Sequence, residues 1–171
     1  MNAKLLYNTI YNYIFQENEE LFKLTDFGIF NAPELYIAFN IGKEIKKSEI
    51  QLFGNKTDWI RETNFGGGGP SDFIFQSLEK TYIFELKLRD TIHSYTADIE
   101  KLLRLDKKYE KYFMALVDAY ERDNVNDGRI VELENRYDCI VRVSEFKSFY
   151  TKQERYKSDI HCVVGVWKIK N

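Results

Sequence analysis

Two oppositely charged residues of this sequence lie in a segment that is otherwise largely apolar. Glu85 and Lys87 are two positions apart within residues 81–89, whose alternation of side chains predicts a β-strand. Because successive side chains of a strand point to opposite faces, both charges must lie on the same face. Charged side chains are rarely buried unless they are paired or bind a ligand. The pair therefore indicates a functional site.

A third charged residue, Asp72, begins the preceding strand. Residues 72–76 and 81–89 are predicted to form a hairpin that turns near residues 78–79, which places Asp72 roughly opposite Glu85. Two carboxylates that close raise each other's pKa unless a cation lies between them. Mg²⁺ (or Mn²⁺) meets this need, since such an ion binds through one or two carboxylates together with substrate phosphate. Lys87 beside the ion could orient or help deprotonate an attacking water and stabilise phosphate charge.

The motif Pro70-Ser71-Asp72 followed by Glu85-Leu86-Lys87 resembles the PD-(D/E)xK nuclease motif, with one residue inserted between Pro and Asp. That superfamily includes restriction endonucleases, resolvases and repair nucleases. The resemblance covers roughly residues 32–120. It implies an α/β fold with a restriction-endonuclease-like core, in which helices flank a mixed central β-sheet. It also implies Mg²⁺-dependent hydrolysis of phosphodiester bonds in DNA.

The same resemblance implies a role for each site residue. Asp72 and Glu85 would be metal ligands together with the carbonyl of Leu86, and Lys87 would assist the water. Glu34 corresponds to a position where many members carry a further acidic residue on the first core helix, which makes it the fourth predicted catalytic residue. Glu34 also has a structural interpretation, because it follows Asn31 by three residues and could close a capping box with it.

Two alternatives compete with the nuclease interpretation. The charges could form a solvated strand face, with Asp72 as a turn residue after Pro70, although Ile83 on the same face argues against this. The protein could also be a non-catalytic binding module on the same fold, which the acidic pI of about 5.8 and the lack of a dominant basic patch favour. RNA or a nucleotide is an alternative substrate that the sequence does not separate from DNA.

Three basic residues are candidates for contact with a nucleic-acid backbone. Arg61 precedes the glycine run 66–69, and Lys101 and Arg104 lie on one stripe of a predicted helix. The commoner interpretation of such a stripe is a solvated helix face, with Asp98 as the ordinary ion-pair partner of Lys101. The glycine run is not followed by Gly-Lys-Ser/Thr, so it predicts a loop bordering the site or a plain long turn, not a nucleotide-binding loop.

The elements around these residues follow from periodicity and from turn residues. Helices are predicted over residues 4–23, from a cap at Asn31 to residue 47, and over 91–109. Strands are predicted at residues 49–53, 59–65, 72–76, 81–89, 112–117, 139–143 and 161–168. Residues 121–129 are predicted to be a polar loop, and the segment between the last two strands has no clear signal.

Composition limits the remaining possibilities. The length of 171 residues suits one domain covering residues 1–171, and 44% hydrophobic with 30% charged residues suits a globular core. A net charge of −2 argues against a protein that coats nucleic acid by bulk electrostatics. The longest apolar run, residues 162–167, is too short to span a membrane, and the first residues do not resemble a signal peptide.

Two cysteines, Cys139 and Cys162, lie in apolar surroundings and are predicted to be buried, reduced thiols. These features together predict a cytoplasmic protein with no membrane contact. A domain this small has little room for both catalysis and sequence recognition, so a homodimer or a separate targeting partner is also expected.

Overall fold

A mixed β-sheet runs through the molecule, whose computed structural model describes residues 1–153 and 159–170. In these residues the sheet has seven strands: β1 (Asp58–Thr63), β2 (Ser71–Gln76), β3 (Thr81–Leu88), β4 (Glu110–Tyr120), β5 (Ile140–Arg142), β6 (Lys147–Tyr150) and β7 (Ile160–Ile169). Their order is β1-β2-β3-β4-β7-β5, with β6 also pairing with β7. Strands β3 and β4 are parallel and the other pairs are antiparallel.

The helices are α1 (Ala3–Thr25), α2 (Glu34–Lys47), α3 (Glu49–Phe53), α4 (Ile92–Arg104) and α5 (Gly128–Arg136), with 3-10 turns at Ile29–Asn31 and Asn124–Asn126. Helix α4 forms the crossover that a parallel β3–β4 pair requires. The predicted α/β class, with helices around a mixed sheet, is confirmed.

One face of β2 and β3 is lined with aromatic rings. Phe73 stacks on Phe84 with ring centroids 5.0 Å apart, and Phe84 stacks on Tyr112 of β4 at the same distance. Phe75 is fully buried beside them and contacts Phe53 of α3. We call the four strand residues Phe73, Phe75, Phe84 and Tyr112 the aromatic face. Burying each such ring contributes roughly 1.5–3 kcal/mol to folding.

Two sequence-based predictions of local structure are wrong. Residues 49–53 are not a strand but helix α3, which ends at Gly54 in the left-handed conformation (φ 79°). A five-residue apolar pattern does not separate a short helix from a strand. The cap predicted at Asn31 is also wrong, because Asn31 lies in a 3-10 turn and α2 begins after Pro33 with no side-chain cap.

Other element boundaries differ by up to five residues, and two elements were not predicted. Helix α4 ends at Arg104, five residues before the predicted end, and a turn from Asp106 to Tyr109 leads into β4. Helix α5 begins at the end of the predicted loop 121–129, and β6 lies in the segment without a clear signal.

Cys162 is buried, Cys139 is half-buried, and both are free thiols. In the described residues no helix combines the length and the apolar character needed to cross a bilayer.

Candidate active site

The charged residues begin where the ladder between β2 and β3 ends. The last pair of that ladder is Phe73 with Phe84, and the same register puts Asp72 beside Glu85, as the hairpin prediction has it. Beyond the ladder the Asp72 side chain replaces the backbone acceptor of a neighbouring strand. Its Oδ2 accepts a hydrogen bond from the backbone N–H of Leu86 at 2.7 Å. The carboxylate is thereby fixed against the backbone of β3.

Glu34 binds the backbone of β3 at Leu88, two residues beyond Leu86. Its Oε2 accepts a hydrogen bond from the N–H of Leu88 at 2.7 Å, and its Oε1 lies 3.5 Å from Lys87 Nζ. The start of α2 therefore reaches the end of β3. The carboxylate is not directed at Asn31, so the predicted capping box is absent and Glu34 lies with the other predicted site residues.

Glu85 is only 2% exposed and is paired with Lys101 of α4. The distance from Lys101 Nζ to Glu85 Oε1 is 2.8 Å, and the same ammonium group donates to the carbonyl of Pro70 at 2.5 Å. Lys101 is therefore not part of a solvated stripe, and its partner is Glu85 instead of Asp98. The predicted solvated face and the predicted Asp98–Lys101 pair are therefore both wrong, because the side of α4 that carries Lys101 faces β3.

Lys87 is paired with Asp98, one helical turn before Lys101 on α4. The distance from Lys87 Nζ to Asp98 Oδ2 is 3.2 Å. One side of α4 thus supplies a countercharge to each charged residue of the Glu-x-Lys motif. The Asp98 carboxylate faces Lys87, and the Lys101 ammonium group faces Glu85. Asp98 was not predicted as a site residue, although its spacing from Tyr95 and Leu102 places it on the buried stripe of this helix.

We call the six side chains of Glu34, Asp72, Glu85, Lys87, Asp98 and Lys101 the charged cluster. Its four carboxylates and two ammonium groups leave a formal net charge of −2.

Burial dominates the titration of two carboxyl groups of the charged cluster. The pKa of Glu85 is raised to about 7, because burial and the neighbouring Asp72 carboxylate raise it more than the Lys101 ammonium group lowers it. Burial also raises the pKa of Asp72, against the hydrogen bond from Leu86 and the charge of Lys87. An additional cation at this position would relieve both effects.

Lys87 is held in its charged form. Burial by itself lowers the pKa of its ammonium group, but the Asp98 and Glu34 carboxylates outweigh burial and leave the pKa above its ordinary value. A lysine held protonated is suited to stabilising negative charge and to orienting water, and it is poorly suited to removing a proton. The geometry therefore favours the electrostatic role among those predicted for Lys87.

The glycine run 66–69 packs against α4 beside the charged cluster. A Cβ atom on Gly67 would lie 2.8 Å from the carbonyl oxygen of Lys101, so the close approach requires glycine. Arg104 fixes the loop, since its Nε donates to the carbonyl of Gly67 at 3.0 Å. Of the two interpretations of this segment, the loop bordering the site fits its position.

Arg61 lies apart from the charged cluster. Its guanidinium group is 5.0 Å from the centroid of the Phe39 ring and 3.4 Å from Glu62. The structure therefore brings together Glu34, Asp72, Glu85 and Lys87, adds Lys101 to them, and leaves Arg61 outside. Contact of Arg61, Lys101 and Arg104 with a nucleic acid stays a prediction.

The donor set at the charged cluster suits a hard divalent ion. In the described residues no three His, Cys, Asp or Glu side chains are grouped as a metal site. Mg²⁺, however, is commonly bound through one or two carboxylates, with water and substrate phosphate completing its coordination. The adjacent carboxylates of the half-buried Asp72 and the buried Glu85 provide that number in a region of net negative charge.

Comparison with family models, curated proteins and solved structures finds no match to the chain.

Proposed function

We propose that this chain is a metal-dependent nuclease that hydrolyses phosphodiester bonds of DNA on a restriction-endonuclease-like core. The observation that carries the proposal is the meeting of Asp72, Glu85 and Lys87 where the β2–β3 ladder ends. Two adjacent carboxylates, the half-buried Asp72 and the buried Glu85, beside a fixed ammonium group combine a place for a divalent ion with a charge suited to phosphate.

Each residue of the site has a separate task in this proposal. Asp72 and Glu85, with the carbonyl of Leu86, would hold Mg²⁺ or Mn²⁺. The ion would polarise a phosphate oxygen and lower the pKa of a bound water. Lys87, kept protonated by Asp98 and Glu34, would bind a non-bridging phosphate oxygen and stabilise the negative charge of the transition state.

Glu34 is better described as a positioning residue than as a metal ligand. One of its oxygens binds the N–H of Leu88 and the other lies near Lys87, so the carboxylate fixes the end of β3 and the direction of the Lys87 side chain. Its location also supports the proposed fold, because α2 with Glu34 precedes the hairpin and the amphipathic α4 follows it.

A non-catalytic binding module on the same fold is the second candidate. It is favoured by the pairing inside the charged cluster, where Lys101 neutralises Glu85 and Asp98 neutralises Lys87 without any added ion. In that case the cluster would stabilise the junction between the sheet and α4, and the protein would act by contacting a partner.

Cleavage assays distinguish the two candidates. The purified chain is incubated with single-stranded DNA, duplex DNA and RNA, each with Mg²⁺, Mn²⁺ or EDTA. We expect cleavage of DNA that requires the metal and falls by about 10²–10⁴-fold in Lys87→Ala, the usual range for an electrostatic or acid–base group. Lys47→Ala is the matched control, since Lys47 is an exposed lysine paired with Glu44 on the last turn of α2.

The other outcomes are equally specific. Cleavage that persists in Lys87→Ala would contradict the assigned roles. A folded protein that neither cleaves nor binds metal in calorimetry would favour the binding module. Cleavage of RNA alone would keep the mechanism and change the substrate.

Sedimentation velocity of the same samples tests the expected homodimer.

A further inference from the structure

We infer that Lys101 is an internal cation that occupies the carboxylate site and competes with the divalent ion for it. The inference rests on the proposed function, because it concerns the metal site of the proposed nuclease. It adds a residue that sets metal affinity, located on α4 and outside the motif.

The location of the Lys101 ammonium group is the first argument. The group contacts Glu85 Oε1 at 2.8 Å and the carbonyl of Pro70 at 2.5 Å. Glu85 is the neighbour of Asp72 across the hairpin, and Pro70 precedes Asp72 by two residues in the chain. The ammonium group is thus held by one proposed carboxylate ligand, Glu85, and by the backbone that leads into the other, Asp72. It occupies the Glu85 oxygen at which a divalent ion would bind.

Burial of this lysine is the second argument. The Lys101 side chain is only 14% exposed, although long cationic side chains near the end of a helix usually extend into water. A buried ammonium group is retained only where it is well paired. Here it compensates Glu85 in a cluster whose formal charge is already −2, so without Lys101 or an ion the carboxylates would repel each other more strongly.

Competition follows from these two observations. A divalent ion bound to Glu85 at ligand distance would be a few ångströms from the ammonium group, and the two like charges would repel strongly in a buried site. The Lys101 side chain therefore has to leave Glu85 when the ion binds, and its flexible four-carbon stem permits this. The apparent metal affinity is then the intrinsic affinity multiplied by the fraction of molecules in which Lys101 is already displaced, so a small displaced fraction weakens binding.

Calorimetric titration with Mn²⁺ tests the inference on the full chain. Lys101→Met keeps an unbranched side chain one atom shorter and removes the charge, and we expect it to bind Mn²⁺ at least about tenfold more tightly than the wild type. The matched control is Lys108→Met, because Lys108 is an exposed lysine paired only with Asp106 in the described residues. Its Mn²⁺ affinity should equal that of the wild type, and Asp72→Asn should abolish binding.

The outcomes separate this inference from the proposed function. Equal or weaker Mn²⁺ binding by Lys101→Met would overturn the competition and leave the metal site of the nuclease intact. Binding by Lys101→Met alone would support the competition and count against an active wild-type nuclease. Absence of binding in both proteins would overturn both proposals.

A measurement on the wild-type protein covers the case in which Lys101→Met does not fold. Amine acetylation is followed by mass spectrometry while Mn²⁺ is added. Displacement should raise the reactivity of Lys101 several-fold as the site fills, whereas Lys111, which is 2% exposed in β4, should stay unreactive. Lys101 reactivity that does not change on saturation with Mn²⁺ would overturn the inference.

Discussion

The two faces of the β2–β3 hairpin are chemically opposite. Phe73 and Phe84 stack on one face, and their chain neighbours Asp72 and Glu85 point to the other. The aromatic face is built mainly from adjoining strands of one sheet. The charged cluster needs residues from α2 and α4, since Glu34, Asp98 and Lys101 pair with β3.

The difference shows what burial demands of each kind of side chain. An aromatic ring is stabilised by leaving water, whatever apolar group it meets. A buried charge loses its hydration and regains stability only from a partner at the correct distance. The charged cluster therefore costs stability unless its pairs are intact, and we expect the two faces to respond differently to mutation and pH.

The largest effect is expected on the aromatic face. Phe75→Ala should lower the free energy of unfolding by about 3–5 kcal/mol, because the fully buried ring leaves a cavity between Phe53, Trp59 and Phe84. The loss should be the same at pH 5 and pH 8. Urea denaturation at both pH values measures it, with Phe75→Leu as the milder control. A loss below about 1 kcal/mol would contradict the packing described.

The charged cluster should show a pH dependence that the aromatic face lacks. The pKa of Glu85 is about 7 in the folded protein and lower in the unfolded chain, so the folded state holds the extra proton between these values. The raised pKa of Glu85 therefore contributes to the free energy of unfolding at low pH, and this contribution is lost as the pH rises from about 4.5 to about 7. At about 1.4 kcal/mol per pKa unit, the change amounts to about 3 kcal/mol.

Glu85→Gln isolates this contribution in the metal-free protein. With EDTA present, the stability of the wild type relative to Glu85→Gln should fall across that pH range, as measured by denaturation at matched pH. Glu132→Gln, which alters a half-exposed carboxylate paired with Arg136, serves as control and should give a nearly constant difference. A constant difference for Glu85→Gln as well would show that the Lys101 pair compensates the burial fully.

The smallest effect is expected for an ion pair outside the cluster. Lys47 and Glu44 are 2.6 Å apart on α2, but the lysine side chain is 62% exposed. Lys47→Ala should change the free energy of unfolding by no more than about 1 kcal/mol, since exposed pairs gain little and are screened by salt. Thermal denaturation at low and high salt checks this. A loss comparable to that of Phe75→Ala would contradict the contrast between exposed and buried groups.

Much of the hairpin could be predicted because its geometry is local. Alternation along residues 81–89 predicts that Glu85 and Lys87 share a face, and the turn between the strands sets the register with Asp72. In α4, Tyr95, Ile99 and Leu102 recur at helical spacing, and all three are buried. The five residues of α3 were assigned wrongly, because so short a pattern fits both periods.

The sequence by itself determined which charges of the hairpin lie together, since strand periodicity is a property of neighbouring residues. Only the tertiary structure decided how those charges are balanced. Docking of α4 gives Lys101 to Glu85 and Asp98 to Lys87, although spacing along the helix suggests that Lys101 and Asp98 pair with each other. The physical reason is burial, because a charge that the sheet and helix enclose must be neutralised inside the enclosed space, whereas a solvated pair on a helix surface gains little.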